Sequence, residues 1–399
     1  MQKTQLKKNK QNHISNITLT EDQQFIFDDV TDKIDNYRGR YNCVMRGYAG
    51  TGKSTTVSKI IEWAHEQNYS IMVTSPTHKA NQVLRGMIGG YKIPVKTIHS
   101  YLGLELKPHK DKMVLSEIAG YKPEAVDILI IDECSMVGLD LYQHICRKQG
   151  SVRRMVMFVG DDCQLPPVET DSSANEVLET SPLSKAFMHG KQYYLTKVLR
   201  QAEKNSIIRL ATSVRSCVET KSSPIPFINE ITEENENIIK INDDELFMYS
   251  YIEALSAEES LDAAIDKYKM ICYLNRDVDS ANTLIRDVLL NNPEQEFILN
   301  ENVIVQGTIE NISLKTQEQL KINGTLVKTV LFGIDVWTME HNSELIKFVG
   351  PESKIHLQNL LRKLVTNINM KAVNPKTHKP WNWGDYYMIK NSICEMTYP

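Results

Sequence analysis

Apolar residues in this chain gather in short runs separated by longer amphipathic stretches. YNCVM (Tyr41–Met45), SIMVTS (Ser70–Ser75), VDILIIDE (Val126–Glu133) and RRMVMFVGD (Arg153–Asp161) are such runs in the first half. Each has the length and apolar content of a strand buried on both faces. Helical patterns lie between them. In LTEDQQFIFDDVTDKI (Leu19–Ile34), Thr20 precedes a stretch whose apolar positions include Phe25, Ile26, Val30 and Ile34. That reads as a capped helix start. A second helix is predicted from Ser54 to about His65, and a third from near His78. Strands alternating with helices predict an α/β fold built on a parallel sheet with both faces covered.

The pattern breaks between His99 and Ala125, where LELKPHKDKMVLSEIAG reads as a small exposed excursion with hairpin character. After about residue 215 comes an acidic stretch, EITEENENIIKINDDEL, a solvated face or a linker between lobes. A second α/β start follows, with a strand predicted over Met270–Leu274 and a helix over Asp277–Leu290. From Phe297 to Val349 the text turns strand-like, with Asn323-Gly324 as a hairpin turn signal, and predicts a small β module. The last part carries Arg362, Lys363, Lys371, Lys376 and Lys379 together with Trp381 and Trp383.

Composition narrows the class. The 399 residues are 41% hydrophobic and 24% charged, ordinary for a globular chain of two or three domains. A formal net charge of −4 argues against a surface that attracts nucleic acid everywhere, so any such contact belongs to a local groove. The seven cysteines are scattered and form no Cys-x-x-Cys, which speaks against a zinc site or a disulfide frame. The N-terminal MQKTQLKKNKQN is basic and polar with no apolar segment behind it, unlike a secretory signal. No apolar run is long enough to span a membrane. A cytoplasmic protein is expected.

The chemistry begins at MRGYAGTGKSTT (Met45–Thr56). Gly47-x4-Gly52-Lys53-Ser54 matches the phosphate-loop pattern, in which a glycine loop between strand and helix turns backbone N–H groups toward phosphate. Lys53 is expected at the β- and γ-phosphates of ATP and Ser54 at Mg²⁺, with Gly47, Gly50, Thr51, Gly52 and Thr55 forming the cradle. Downstream, ILIIDE ends a buried strand on Asp132, suited to Mg²⁺, and on Glu133, suited to polarising the attacking water. FVGDDCQLPPV places Gln164 after the next strand, where it could sense the γ-phosphate. Arg200 in LTKVLRQ could stabilise transition-state charge in cis. Each has a plain alternative: a glycine turn, a polar loop residue, a surface arginine.

These pieces, in this order, resemble the superfamily 1 helicases, in the branch of the Dda-type DNA helicases of T4-like phages and their RecD-related kin (superfamily 1B). LTEDQ is similar to the family's Q motif, which implies that Gln23 reads adenine. GYAGTGKST is similar to motif I, SPTHKAN to motif Ia, KTIHSYLGL to the Thr-Ile-His-Ser motif, LIIDECSM to motif II, GDDCQLPPV to motif III and LTKVLRQ to motif IV. CYLNRDVDSAN resembles the opening of a second RecA-like domain. The resemblance implies ATP-driven 5′→3′ translocation on single-stranded DNA with strand separation at fork DNA. Pro76, Thr77, His78, Thr97, His99 and Asn275 are the implied DNA contacts, and Met113 and Leu115 belong to the implied wedge hairpin, Lys107–Ala119. Single-strand-binding or replication proteins are implied partners, and a monomer is expected.

The implied layout has a flexible basic tail over residues 1–18 and a first RecA-like ATPase domain over 19–215, with the wedge insertion at about 100–125. A linker and the start of a second RecA-like domain cover 216–295. An inserted β-rich, SH3-like module with its basic, Trp-rich extension covers 296–390, and a stub of the second domain 391–399. One departure matters. The family's second lobe supplies a Ser/Thr-x-His-Lys-x-Gln-Gly segment and a Thr-Arg segment, and neither is present here. A separate C-terminal helicase polypeptide, an interrupted gene or a partial sequence would each account for that, and the split or interrupted gene is the favoured expectation. The expected behaviour of the chain alone is ATP binding with little DNA-stimulated hydrolysis. Two other readings compete with the helicase: an ATP-binding single-strand-binding protein with impaired hydrolysis, and a phosphate-loop ATPase acting on a non-nucleic partner. SPTHKA and TIHS discriminate against the last.

Overall fold

The computed structural model describes residues 18–48, 50–88, 91–109, 112–167, 184–197, 206–222, 230–231, 237–239, 241–290, 297, 302–304, 319–322, 326–341, 344–375 and 377–393. The chain divides into two compact units, Met1–Ile239 and Lys240–Pro399. The expected boundary near residue 215 falls inside a helix.

The first unit opens with α1 (Glu21–Asn36), β1 (Tyr41–Gly47) and α2 (Lys53–Glu66). Then come β2 (Ile71–Ser75), α3 (His78–Ile88), β3 (Val95–Thr97) and α4 (Ile98–Leu102). β4 (Leu104–His109) and β5 (Lys112–Glu117) form a hairpin, followed by β6 (Val126–Ile131), α5 (Leu139–Lys148), β7 (Val152–Gly160), β8 (Lys191–Leu195) and α6 (Ser206–Thr220). A short antiparallel pair, β9 (Glu230–Ile231) and β10 (Asn237–Ile238), completes it.

Six strands make one parallel sheet in the order β3-β2-β6-β7-β1-β8. Its strands alternate sides with period two. Cys43, Met45, Ile128, Ile130, Met155 and Met157 join one core with Ile26, Val30, Ile60 and Ile61 of α1 and α2. Val44, Leu129, Ile131, Val156 and Phe158 join a second core with Ile98, Tyr101, Leu141 and Ile145. Both faces are therefore dry, as a parallel sheet between helices requires. This is the expected RecA-like α/β arrangement. Because every strand runs the same way, the loops after β1, β2, β3, β6 and β7 all leave from one edge of the sheet.

In the second unit, α7 (Asp244–Ser256), α8 (Leu261–Lys267) and α9 (Asn275–Leu290) precede the β segment. Strands β11 (Asn302–Ile304) and β12 (Gln319–Lys321) pair with each other. β13 (Val327–Leu331), β14 (Ile334–His341) and β15 (Glu344–Phe348) form an antiparallel meander. Helices α10 (Pro351–Asn369) and α11 (Trp383–Ile393) follow, and Leu357, Leu364 and Ile389 share a core with Ile334, Val336, Ile346 and Phe348. The strand expected at Met270–Leu274 does not form. Ile271 and Tyr273 are 93% and 95% exposed, and no described strand pairs with the run. A parallel strand is stable only between partners and under helices, so an apolar run without them stays unpaired. The basic tail, the Asn323-Gly324 turn and the stub beyond Ile393 lie outside the described residues.

Candidate active site

The phosphate loop closes tightly on itself. Gly47 ends β1 where a Cβ would lie 2.6 Å from Thr51 Oγ1 and 3.0 Å from Leu195 Cβ, so only glycine fits. Gly52 caps α2 at φ 83°, a left-handed conformation that costs glycine nothing. Thr51, 1% exposed, donates from Oγ1 to the Tyr48 carbonyl at 2.8 Å. Lys53 lies over the same loop, with Nζ donating to the carbonyls of Gly47 (2.7 Å) and Tyr48 (3.1 Å). Burial pulls the Lys53 ammonium below its ordinary value, against the carboxylates of Asp161, Asp132 and Glu133. Ser54 and Thr55 fill the first turn of α2, half-buried. The helix N-terminus and the lysine together make a cradle for phosphate.

Gln23 is bound into this loop. It is 1% exposed, its Nε2 donates to the Thr51 carbonyl at 3.0 Å, and its Oε1 accepts from Thr20 N at 3.0 Å in a full capping box. The carboxamide thus joins the start of α1 to the phosphate loop.

Asp132 follows β6, two strands from β1 in the sheet. Its Oδ1 accepts from Glu133 N at 3.0 Å. Burial first, then the charge of Glu133, pushes the Asp132 carboxyl up to about 6. Glu133 has φ 53°, a left-handed value that is strained for a residue with a side chain. Asp132, half-buried at the end of β6, and Ser54, on the first turn of α2, both offer hard oxygen donors of the kind Mg²⁺ takes.

Between them, after β7, runs the loop Asp161–Gln164. Asp161 is buried, its Oδ1 accepts from Cys163 N at 3.1 Å, and its carbonyl accepts from Gln164 N at 3.2 Å. The Gln164 side chain is exposed. Arg200 lies outside the described residues. Among the described residues two arginines reach this loop, Arg215 of α6 and Arg46 of β1, and the sequence reading missed both. Arg215 Nη1 donates to Asp161 Oδ1 at 2.7 Å and its Nη2 to Asp162 Oδ1 at 3.3 Å. Arg46 of β1 donates to Asp162 Oδ2 at 3.0 Å. No local motif announces Arg215, since its helix reads as an ordinary amphipathic one.

The other half of the same edge carries the residues implied in DNA contact. Pro76, Thr77 and His78 follow β2, Thr97 ends β3, and His99 lies in α4 just after it. Both threonines act as helix caps: Thr77 Oγ1 accepts from Ala80 N at 3.3 Å, and Thr97 Oγ1 from Ser100 N at 3.1 Å. Burial and the charge of Arg85 lower the His78 pKa, and burial with the charges of His78 and His144 lowers that of His99. Both shifts favour the neutral imidazole, which offers hydrogen bonds rather than charge. Asn275 opens α9 in the second unit.

The β4–β5 hairpin pairs Leu106 with Leu115 and Pro108 with Met113. Val114 is 39% exposed, whereas Leu115 packs on the second core. Glu117 ties the hairpin to α5, with Oε1 3.0 Å from His144 Nδ1 and Oε2 paired with Lys148 at 3.2 Å.

A phosphate loop, a strand-end Asp-Glu pair and a third strand-end loop on adjacent strands of a parallel sheet define a phosphate-loop nucleoside triphosphatase domain. The chain belongs to the AAA-domain family, whose profile matches residues 18–220, half of its length. Its relatives are superfamily 1 helicases of the Dda and RecD kind. It is 24% identical over 414 residues to the ATP-dependent DNA helicase dda of Enterobacteria phage T4, covering 95% of this chain and 87% of that protein. It is 31% identical over 178 residues to the ATP-dependent RecD2 DNA helicase of Deinococcus radiodurans, covering 45% of this chain but only 22% of that protein. Among solved structures, Pif1 helicase from Candida albicans covers 84% of this chain and is covered to 78%, at 15% identity and a TM-score of 0.38.

Proposed function

We propose that this chain is the ATP-driven motor of a DNA helicase. One observation carries the reading. A single sheet edge holds the phosphate loop, Asp132-Glu133 and the Asp161–Gln164 loop on one side, and Ser-Pro-Thr-His and Thr-Ile-His-Ser loops on the other. Nucleotide and strand would then lie on one rigid body, so a shift at one is felt at the other.

In this reading the N–H groups of the loop and the N-terminus of α2 receive the β- and γ-phosphates of ATP. Lys53 swings from the carbonyls it now touches to the phosphate oxygens. Ser54 and Asp132 would hold Mg²⁺, which neutralises charge on the phosphate oxygens when bound. Glu133 accepts a proton from the attacking water, and Gln164 faces the γ-phosphate. Arg200 is the cis cation that the family motif supplies. Pro76, Thr77, His78, Thr97 and His99 of the first unit line the path of the strand, where backbone N–H groups and imidazoles suit phosphate oxygens. Asn275, which opens α9 of the second unit, is a further contact that the family resemblance implies. The β4–β5 hairpin stands at the fork junction, with Met113 and Leu115 as the wedge positions the family implies and Val114 the exposed side chain between them.

The finer parts of the reading are 5′→3′ movement and completion of the cleft by a His-Lys-x-Gln-Gly and a Thr-Arg segment from elsewhere. Both rest on the family resemblance alone. The test is single-strand-stimulated ATPase and fork unwinding by the 399-residue chain, with and without a polypeptide carrying those two segments. ATP binding that Lys53→Ala abolishes, with turnover appearing on addition of the polypeptide, is the expected result. Vigorous unwinding by the chain alone would sink the completion idea. ATP binding and strand binding without turnover in any mixture would favour a single-strand-binding regulator. Nucleotide affinity unchanged in Lys53→Ala would end the motor reading.

A further inference from the structure

Arg215 sits in α6, far along the chain from the phosphate loop, yet its guanidinium lies 3.6 Å from the centroid of the Tyr48 ring. Tyr48 follows Gly47 and is the hub of the loop: its carbonyl accepts from Thr51 N, Thr51 Oγ1 and Lys53 Nζ. The edge of the same guanidinium grips Asp161 and Asp162, while its Nε donates to Glu219 Oε1 at 2.9 Å. Asp161 is only 4% exposed, and Arg215 lies against it as an ion-pair partner at 2.7 Å. A planar cation thus has its face on the phosphate loop and its edge on the loop that leads to Gln164. Arginine suits both contacts at once, whereas lysine, a point charge, can neither stack in this way nor bridge two carboxylates with a fixed fork.

We propose that Arg215 is a positioning residue for ATP hydrolysis, coupling the Asp161–Gln164 loop to the phosphate loop through Tyr48. Phosphates seated on the loop shift Tyr48, and Arg215 carries the shift to Gln164 and the water it faces. The inference rests on the reading that the loop binds ATP. It adds that the response of the Gln164 loop requires one residue outside the helicase motifs.

Hydrogen–deuterium exchange on the full chain, with and without Mg²⁺ and ATPγS, reads the coupling without needing turnover. In the wild type, peptides covering 47–54 and 161–164 should both gain protection from the nucleotide. In Arg215→Lys, 47–54 should keep its gain while 161–164 loses it. Tyr48→Leu should behave like Arg215→Lys, and Tyr48→Phe, which keeps the aromatic face, should retain the coupling. Where turnover is measurable, Arg215→Lys should lower kcat by about tenfold or more with KM for ATP little changed, the mark of an interaction made in the transition state. Intact joint protection in Arg215→Lys overturns the proposal. So does exchange at 161–164 that speeds equally with and without nucleotide, since that is a purely stabilising role. No protection of 47–54 in the wild type would instead remove the nucleotide reading and this inference with it.

Discussion

Gln23 and Thr51 are joined by a buried hydrogen bond of 3.0 Å, from the Gln23 Nε2 to the Thr51 carbonyl. The first helix therefore braces the phosphate loop. The other end of the carboxamide is spent on the Thr20 cap. Replacing Gln23 with Ala leaves the loop carbonyl without its donor. The expected cost is about 1 to 3 kcal/mol, typical of an orphaned buried group. Titration with fluorescent ATP and GTP should show both affinities falling together. A selective loss of ATP, with GTP untouched, would mean that Gln23 acts mainly on the base.

In the proposed motor, Lys53 serves binding and Glu133 serves the chemistry. Glu133→Gln keeps the size of the side chain but cannot accept a proton. Hydrolysis should fall by about 10²- to 10⁴-fold, the usual contribution of a general base. Affinity for ATP should hold, as measured by equilibrium binding beside steady-state turnover. Parallel loss of binding and turnover would place Glu133 in the fold of the loop rather than in the reaction.

Asp127 predicts the acid limit of the first unit. It accepts from Ser70 N (2.9 Å), Ser70 Oγ (2.7 Å) and Arg153 Nε (2.8 Å), tying the entry of β2 to β6. Burial pushes its carboxyl up, but the bonds from Arg153 and Ser70 outweigh that and bring it to about 2, from an ordinary 3.8. A folded pKa below the unfolded one means stability that is present above pH 4 and lost as pH falls toward 2. Comparing acid unfolding of the wild type with Asp127→Asn should show the wild-type advantage shrinking across that window. An advantage independent of pH would refute the assignment.

The hairpin makes a further separation testable. Val114 is partly exposed, whereas Leu115 faces the core. Val114→Ser should reduce strand separation at a fork while leaving single-strand-stimulated ATPase nearly unchanged. Leu115→Ala should instead lower the melting temperature, because it removes packed methyl groups. Equal losses of ATPase and unwinding in Val114→Ser would argue against a wedge.

Much of the first unit was legible in the sequence because its signals are local. The capped start of α1, the strand–loop–helix around Lys53 and the acid pair ending β6 each depend on a few adjacent residues. The apolar runs of the sheet were readable for the same reason, since both faces of a parallel strand are buried. The run Met270–Leu274 carried the same signal and forms no strand, because a strand also requires neighbours that its own residues cannot supply.

By itself, then, the sequence determined the α/β class, the phosphate loop and the acids of the site. Backbone chemistry and hydrophobic period act over a few residues, and both are written in order along the chain. The tertiary structure alone decided which side chains brace that site. Gln23 meets Thr51 across 28 positions, and Arg215 meets Asp161 across 54. Such partners are chosen by the order of strands in the sheet, which brings distant loops to one edge, and no local pattern encodes that meeting.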